Sequence, residues 1–171
     1  MISDNRIIIL KGDISLVDAD AVVNAANTSL LGGGGVDGAI HTAAGPGLLE
    51  ECRELNGCEV GDVKVTTGHN LKARFVFHAV GPIWRGGGND EHMLLASCYR
   101  RAMEKASELK LETIAFPAIS TGAYRFPPEE AAMVALTEIR RFLKRNSHPA
   151  TVYLVAFTDE QYSLYMKTLR R

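Results

Sequence analysis

Cysteine is scarce and unpatterned in this chain. The 171 residues hold three, Cys52, Cys58 and Cys98, an odd number with neither C-x-x-C nor zinc-ligand spacing to histidine. That spacing argues against a disulfide framework and a zinc site, so reduced, buried or half-buried thiols are expected and no metal. Charge of one sign is also missing: 19 Lys and Arg against 20 Asp and Glu give a formal net charge of -1, with no long basic run. A nucleic-acid groove or a membrane surface is therefore not expected as the main partner, and any bound anion must be held by local N–H groups. The first residues, Met1 to Asn5, lack a basic stretch followed by an apolar one, and no segment has the apolar length to span a bilayer. A cytoplasmic protein is expected on that basis. The phosphate loop G-x-x-x-x-G-K-[ST] and the serine elbow G-x-S-x-G are both absent, which removes two common routes to hydrolysis.

What the chain does have is glycine in a run. Gly32-Gly33-Gly34-Gly35 stands inside Asn24-Ala25-Ala26-Asn27-Thr28-Ser29-Leu30-Leu31 on one side and Val36-Asp37-Gly38-Ala39-Ile40-His41 on the other. Four ordered glycines are entropically costly, so such a run implies close approach of something to the main chain. Residues 20–24 read as a short buried strand, and Ala39, Ile40, Ala43 and Ala44 fall at helical spacing from Gly38. Strand, glycine loop and helix start is the arrangement in which unpaired N–H groups and the positive helix end face a phosphate. Asn24, Asn27 and Asp37 are set into that frame, with Asp37 expected just before the helix. Gly33 to Gly38 formally matches G-x-G-x-x-G. The match is weak, because Thr28 to Leu31 separate it from the strand and no acid ends a second strand about 20 residues on.

Along the rest of the chain, strands alternate with helices. Residues 6–12 are β-branched and apolar, and Asp13 before Ile14-Ser15 reads, on the residues alone, as a cap on a short turn. Gly45-Pro46 must interrupt the first helix, after which Leu48, Leu49, Cys52 and Leu55 make a second helical face that Asn56-Gly57 stops. Residues 63–67 alternate like a half-buried strand. Residues 75–80 are nearly continuous apolar, with His78 read as a hydrogen-bonded core residue. The second glycine loop, residues 84–89, reads as a connection. Further strands are expected at 113–117 and 151–157, with helices after residue 89, from Pro127-Pro128, and over 161–169; Phe142 and Tyr162 are assigned to apolar faces. Such alternation implies a mainly parallel sheet covered on both faces, in one domain over residues 1–171 with no internal repeat.

Three separated motifs, in this order, give the chain a family resemblance: the Asn24 to His41 segment, His78-Ala79-Val80-Gly81-Pro82, and Phe116-Pro117-Ala118-Ile119-Ser120-Thr121-Gly122-Ala123-Tyr124. Together they resemble the macro domain family, MacroD-type branch, over about residue 8 to about residue 165. The resemblance implies a three-layer α/β/α fold with a six-stranded mixed, mainly parallel sheet, and ADP-ribose bound at the strand ends without any cofactor. It also implies hydrolysis of ADP-ribosyl esters, namely O-acetyl-ADP-ribose and mono-ADP-ribose on acidic side chains of proteins. Partners would then be ADP-ribose, its esters and mono-ADP-ribosylated proteins, with nucleic acid only as an ADP-ribosylated end, and the chain would be a monomer.

Carried over by position, Asp13 would accept from the adenine amino group with the Ile14 backbone beside it, which reverses the plain cap reading. Phe157 would stack on adenine, against a bland reading as core. Asn24 would join the ligand contacts. Gly34, Gly35 and Val36 would close over the diphosphate from one side through main-chain donors, and Ser120, Thr121, Gly122, Ala123 and Tyr124 from the other. Asn27 and Asp37 would address the distal ribose and the attacking water, with Asp37 orienting that water rather than acting as a sole strong base. Tyr124 would pack against the same ribose. The chain departs from the family pattern at Arg125, where glycine is common, and at Glu59 to Asp62 after Cys58. The rival reading is a module that binds ADP-ribose without cleaving it; retention of both Asn27 and Asp37 favours the enzyme. A dinucleotide oxidoreductase is a distant third.

Overall fold

The computed structural model describes residues 4–171. Among them, six strands form one sheet: β1 (Ile7–Lys11), β2 (Ala21–Ala26), β3 (Val63–Thr67), β4 (Phe75–Val80), β5 (Thr113–Phe116) and β6 (Thr151–Ala156). Five helices accompany it: α1 (Gly35–Ala44), α2 (Pro46–Glu54), α3 (Glu91–Glu108), α4 (Pro128–Leu143) and α5 (Asp159–Leu169). The strand order is β1-β6-β5-β2-β4-β3, with β3 antiparallel to β4 and every other pair parallel. This is the six-stranded mixed, mainly parallel sheet that the resemblance implies.

The strands are apolar on both sides because both sides are covered. Val22, Val76, Ala115 and Val155 pack with Ile40 of α1 and Leu48 and Cys52 of α2. Their sequence neighbours Val23, Phe77, Ile114 and Leu154 project to the opposite face, against Leu95, Tyr99 and Met103 of α3, Leu136 and Ile139 of α4, and Tyr165 of α5. Three layers result.

The opening in this architecture lies between β2 and β5. The chain leaves β2 toward β3 and β4 on one side of this pair and leaves β5 toward β6 on the other, which makes it the switch point where open α/β sheets bind ligands. Their pairing is short, limited to Ala21↔Ile114 and Val22↔Ala115, so the strand ends beyond it part. At the foot they are pinned: the Asp20 carboxylate accepts from Glu112 N (2.8 Å) and Thr113 N (3.2 Å), while Asp20 N donates to Thr113 Oγ1 (2.8 Å). A sheet fastened below and splayed above leaves a cleft for the loops that follow Ala26 and Phe116. Elsewhere Arg6 closes the turn from α4 to β6, its guanidinium donating to the carbonyls of Leu143, Asn146, Pro149 and Ala150.

Four element readings need correction. Helix α1 starts at Gly35, not Gly38, so Asp37 lies inside its first turn, where an acid complements the positive end. Strand β2 runs two residues past Asn24 toward the loop. On α5, Tyr162 is exposed and Leu164 packs with the core in its place, while on α4 Phe142 is only half-buried beside the buried Leu143.

Candidate functional site

The glycine loop is held in shape by Asn27. Its Oδ1 accepts from Ser29 N (3.1 Å), Ser29 Oγ (2.6 Å) and Leu30 N (3.2 Å), and its Nδ2 donates to Gly32 O (2.9 Å). One amide thus closes the turn between β2 and the glycines and keeps one Nδ2 proton uncommitted. Two of the glycines are dictated by close approach. A Cβ at position 38 would fall 2.7 Å from the Gly33 carbonyl oxygen, and one at position 33 would fall 3.1 Å from Asp37 Oδ2 and 3.5 Å from Asn27 Nδ2. The second figure also locates the two functional groups: the outer oxygen of Asp37 and the amide of Asn27 border the same small space above Gly33.

The inner oxygen of Asp37 faces a buried polar cluster. Asn24 Nδ2 donates to Asp37 Oδ1 at 2.7 Å and lies 3.2 Å from His78 Nδ1. His78 Nε2 is 2.9 Å from Thr66 Oγ1 and 3.7 Å from Cys52 Sγ, and His41 Nε2, one turn along α1, stands 3.4 Å from Asp37 Oδ1. Asn24 and His78 are fully buried and Asp37 is 5% exposed. Both amide protons of Asn24 are consumed, one by the acid and one by a lone pair of His78, which assigns the His78 proton to Nε2. Asn24 was expected among the ligand contacts, but it is fully buried and does not line the cleft. It sits behind Asp37 and holds the carboxylate from within, a correction the alternation of β2 could not supply because both of its faces are buried.

Burial above all, and then the imidazole of His41, push His78 down to about 4 from an ordinary 6.5. The unfolded chain therefore binds a proton at His78 between these values and the folded one does not. Stability from this group is complete above about pH 6.5 and falls as pH drops toward 4, by up to about 3 kcal/mol. Glu51 and Glu91, carboxylates lowered from 4.5, act below that window. Thermal unfolding between pH 7.5 and 4.5 should show this slope, and His78→Gln should flatten it. An equal slope in the variant assigns the proton uptake elsewhere.

The three thiols are buried and unpaired. Burial, with the charge of Asp37 next, pushes Cys52 up to about 11. Cys58 and Cys98 are likewise raised by burial, to about 11 and about 12, so all three are poor nucleophiles at neutral pH.

The cleft itself is a cavity of about 290 Å³. Of the sequence-predicted residues it brings together Asn27, Gly34, Gly35, Val36, Asp37, Ser120, Gly122, Ala123 and Tyr124, and adds Ala25, Ala26, Gly33, Gly81, Ala118 and Ile119. No Lys or Arg lines it. An anion there would meet main-chain N–H groups, the start of α1 and the Ser120 hydroxyl, which is buried with no partner and carried on a left-handed residue (φ +66°). Gly81 lets this loop cross the end of β4, since a Cβ there would lie 2.1 Å from Ser120 Oγ. Thr121 turns the other way: its Oγ1 donates to Ala118 O (2.9 Å), and it lines a separate cavity of about 70 Å³ beside α4 and α5.

Asp13, Ile14 and Phe157 lie outside the cavity lining, just past the paired ends of β1 and β6. Asp13 Oδ1 accepts from Ser15 N (2.9 Å) and Ser15 Oγ (2.7 Å), so it does cap its turn, with Oδ2 left over. Phe157 is 72% exposed, which overturns its reading as a core residue. Among the loops, the sheet order β1-β6-β5-β2-β4 places Asp13, Phe157, the Ser120 turn, the Asn27–Asp37 pair and Gly81 in one row along the strand ends.

Known proteins give this geometry a context. The family described as Macro domain matches residues 23–135. A macro domain-containing protein of Methanosarcina mazei is 54% identical over 167 residues, covering 98% of this chain and 89% of the relative. The ADP-ribose glycohydrolase MACROD2 of Xenopus laevis is 53% identical over 161 residues, 93% of this chain but only 38% of that protein. Among solved structures, a mutant Oceanobacillus iheyensis macrodomain with ADPR superposes with a TM-score of 0.93 at 45% identity, covering 99% of this chain and 95% of the other. A Trypanosoma brucei macrodomain in complex with ADP-ribose gives 0.90 at 40% identity, over 96% and 69%.

Proposed function

This chain belongs to the macro domain family, and from that premise we propose that it hydrolyses ADP-ribosyl esters, deacetylating O-acetyl-ADP-ribose and releasing mono-ADP-ribose from acidic side chains of proteins. The observation that carries the reading is the division of labour at Asp37: Oδ1 is tied inward to Asn24, and Oδ2 borders the cleft beside the Asn27 amide. A carboxylate and a carboxamide side by side can orient one water, accepting its proton side and fixing its lone pairs. A module that only binds needs the phosphate loops but no such pair.

In this reading the diphosphate spans the cleft between the Gly34–Val36 main chain and the Ser120–Tyr124 turn. The adenine lies toward Asp13, Ile14 and Phe157, and the distal ribose toward Asn27, Asp37 and Tyr124. Hydrogen bonds to charged groups contribute about 1.5–3 kcal/mol each, against about 8 kcal/mol net for micromolar affinity. A handful of loop N–H groups suffices, so the absence of a lining cation is no obstacle.

The test is incubation with a glutamate-linked mono-ADP-ribosyl protein, following release of free ADP-ribose. Release at turnover rates above the spontaneous background is the expected result. Tight binding of ADP-ribose with no release over hours would make the chain a reader.

A further inference from the structure

The second glycine loop is not used by the reading above, yet it is built with care. Glu91 at the start of α3 is 1% exposed, and its carboxylate accepts from three main-chain donors: Arg85 N (2.8 Å), Gly87 N (2.8 Å) and Asn89 N (2.6 Å). The loop is thereby fastened at three points. It is also tied to the phosphate turn, since Trp84 N donates to Tyr124 O at 2.8 Å. Arg85 and Arg125 each follow one partner of that bond, and Tyr124 lines the cleft, so the two arginines flank a single junction beside it. Both residues are exposed, and among the described residues neither side chain has an ion-pair or hydrogen-bond partner. Arg125 keeps its place at a left-handed φ of +61°, a conformation a long side chain adopts at a cost of about 1–2 kcal/mol. On α4, Glu130 stands 3.4 Å from His92 Nε2.

Position gives the pair a use. Arg85 follows β4, which lies beyond β2 on the side away from β6 and β1. Resting on the ligand orientation proposed above, that is the side of the distal ribose from which the ester and its protein emerge. We propose that Arg85 and Arg125 form a cationic rim that recognises acidic residues flanking the modified side chain of an ADP-ribosylated protein. The rim selects among protein substrates and adds nothing to small esters, which end before it.

Two peptides test this, each carrying one ADP-ribosylated glutamate, flanked by aspartates in one and by serines in the other. The native protein should show a kcat/KM about three- to tenfold higher for the acidic peptide, a preference that shrinks with added salt. In Arg85→Ala/Arg125→Gly, where glycine accepts the backbone angle, the preference should vanish while the Kd for free ADP-ribose stays within about twofold. Equal handling of both peptides by the native protein overturns the rim. So does a parallel loss of free ADP-ribose affinity in the double variant, which would assign the arginines to the diphosphate. If neither peptide is cleaved, the hydrolase reading fails instead. The Kd values of the two peptides then decide the rim by the same comparison.

Discussion

Asp37→Asn is expected to lower single-turnover hydrolysis of O-acetyl-ADP-ribose by about two to four orders of magnitude while changing ADP-ribose affinity only several-fold. The substitution keeps the volume, so α1 and the glycine loop have no reason to move. It replaces the oxygen that borders the space above Gly33 by a group that cannot accept a proton from water. Binding depends on other parts: the main chain of 34–36, the Ser120 turn and, in the proposed orientation, the residues past β1 and β6. Asn27→Ala is the less diagnostic variant. That amide also closes the loop through Ser29, Leu30 and Gly32, so its loss should weaken binding and turnover together. Turnover of Asp37→Asn within about threefold of native would remove the acid from the chemistry, because an oriented water normally contributes far more.

The outward-facing half of this site was legible in the residues, and the inward-facing half was not, for a physical reason. A glycine run betrays close approach, and Asn27 before it and Asp37 after it, in the first turn of α1, are polar residues bracketing that run. The layered fold was legible too, since strand and helix periods alternate without interruption. Asn24 is different. A strand buried on both faces shows no alternation, so nothing in Val22-Val23-Asn24 says whether the amide meets a ligand or the core. His78 was correctly read as a hydrogen-bonded core residue, but its partners Asn24, Thr66 and Cys52 come from β2, β3 and α2, and only the sheet register and the packing of α2 against it bring them together. Glu91 was hidden in another way: an acid opening a helix looks like a complement to the dipole, whereas its carboxylate reaches back to fasten a loop. Phe157 was half legible, its place at a strand end visible and its exposure not.

The remaining prediction concerns that hidden half. Asn24→Leu fits the same fully buried space and removes two donors at once. It leaves Asp37 Oδ1 without its amide and His78 Nδ1 without a proton to accept. Stranding a buried carboxylate is costly: about 3–5 kcal/mol for removing one partner of a buried charged pair, and about 1–3 kcal/mol where the lost partner is neutral. A loss of about 3 kcal/mol would lower the Tm by about 6–12 °C for a chain of this size. Turnover should fall as well, since a carboxylate freed at Oδ1 can rotate its outer oxygen away from the Asn27 amide. A merely destabilised protein would lose activity in proportion to the unfolded fraction, so the two effects are separated by assaying well below the Tm. The double variant Asn24→Leu/Asp37→Asn then decides the route. If Asn24 acts through Asp37 alone, its loss costs nothing further in turnover once the acid is gone, and the two kinetic effects are strongly non-additive. Additive losses in the rate would mean that Asn24 supports the reaction by some other path, and the inward tether would be structural only.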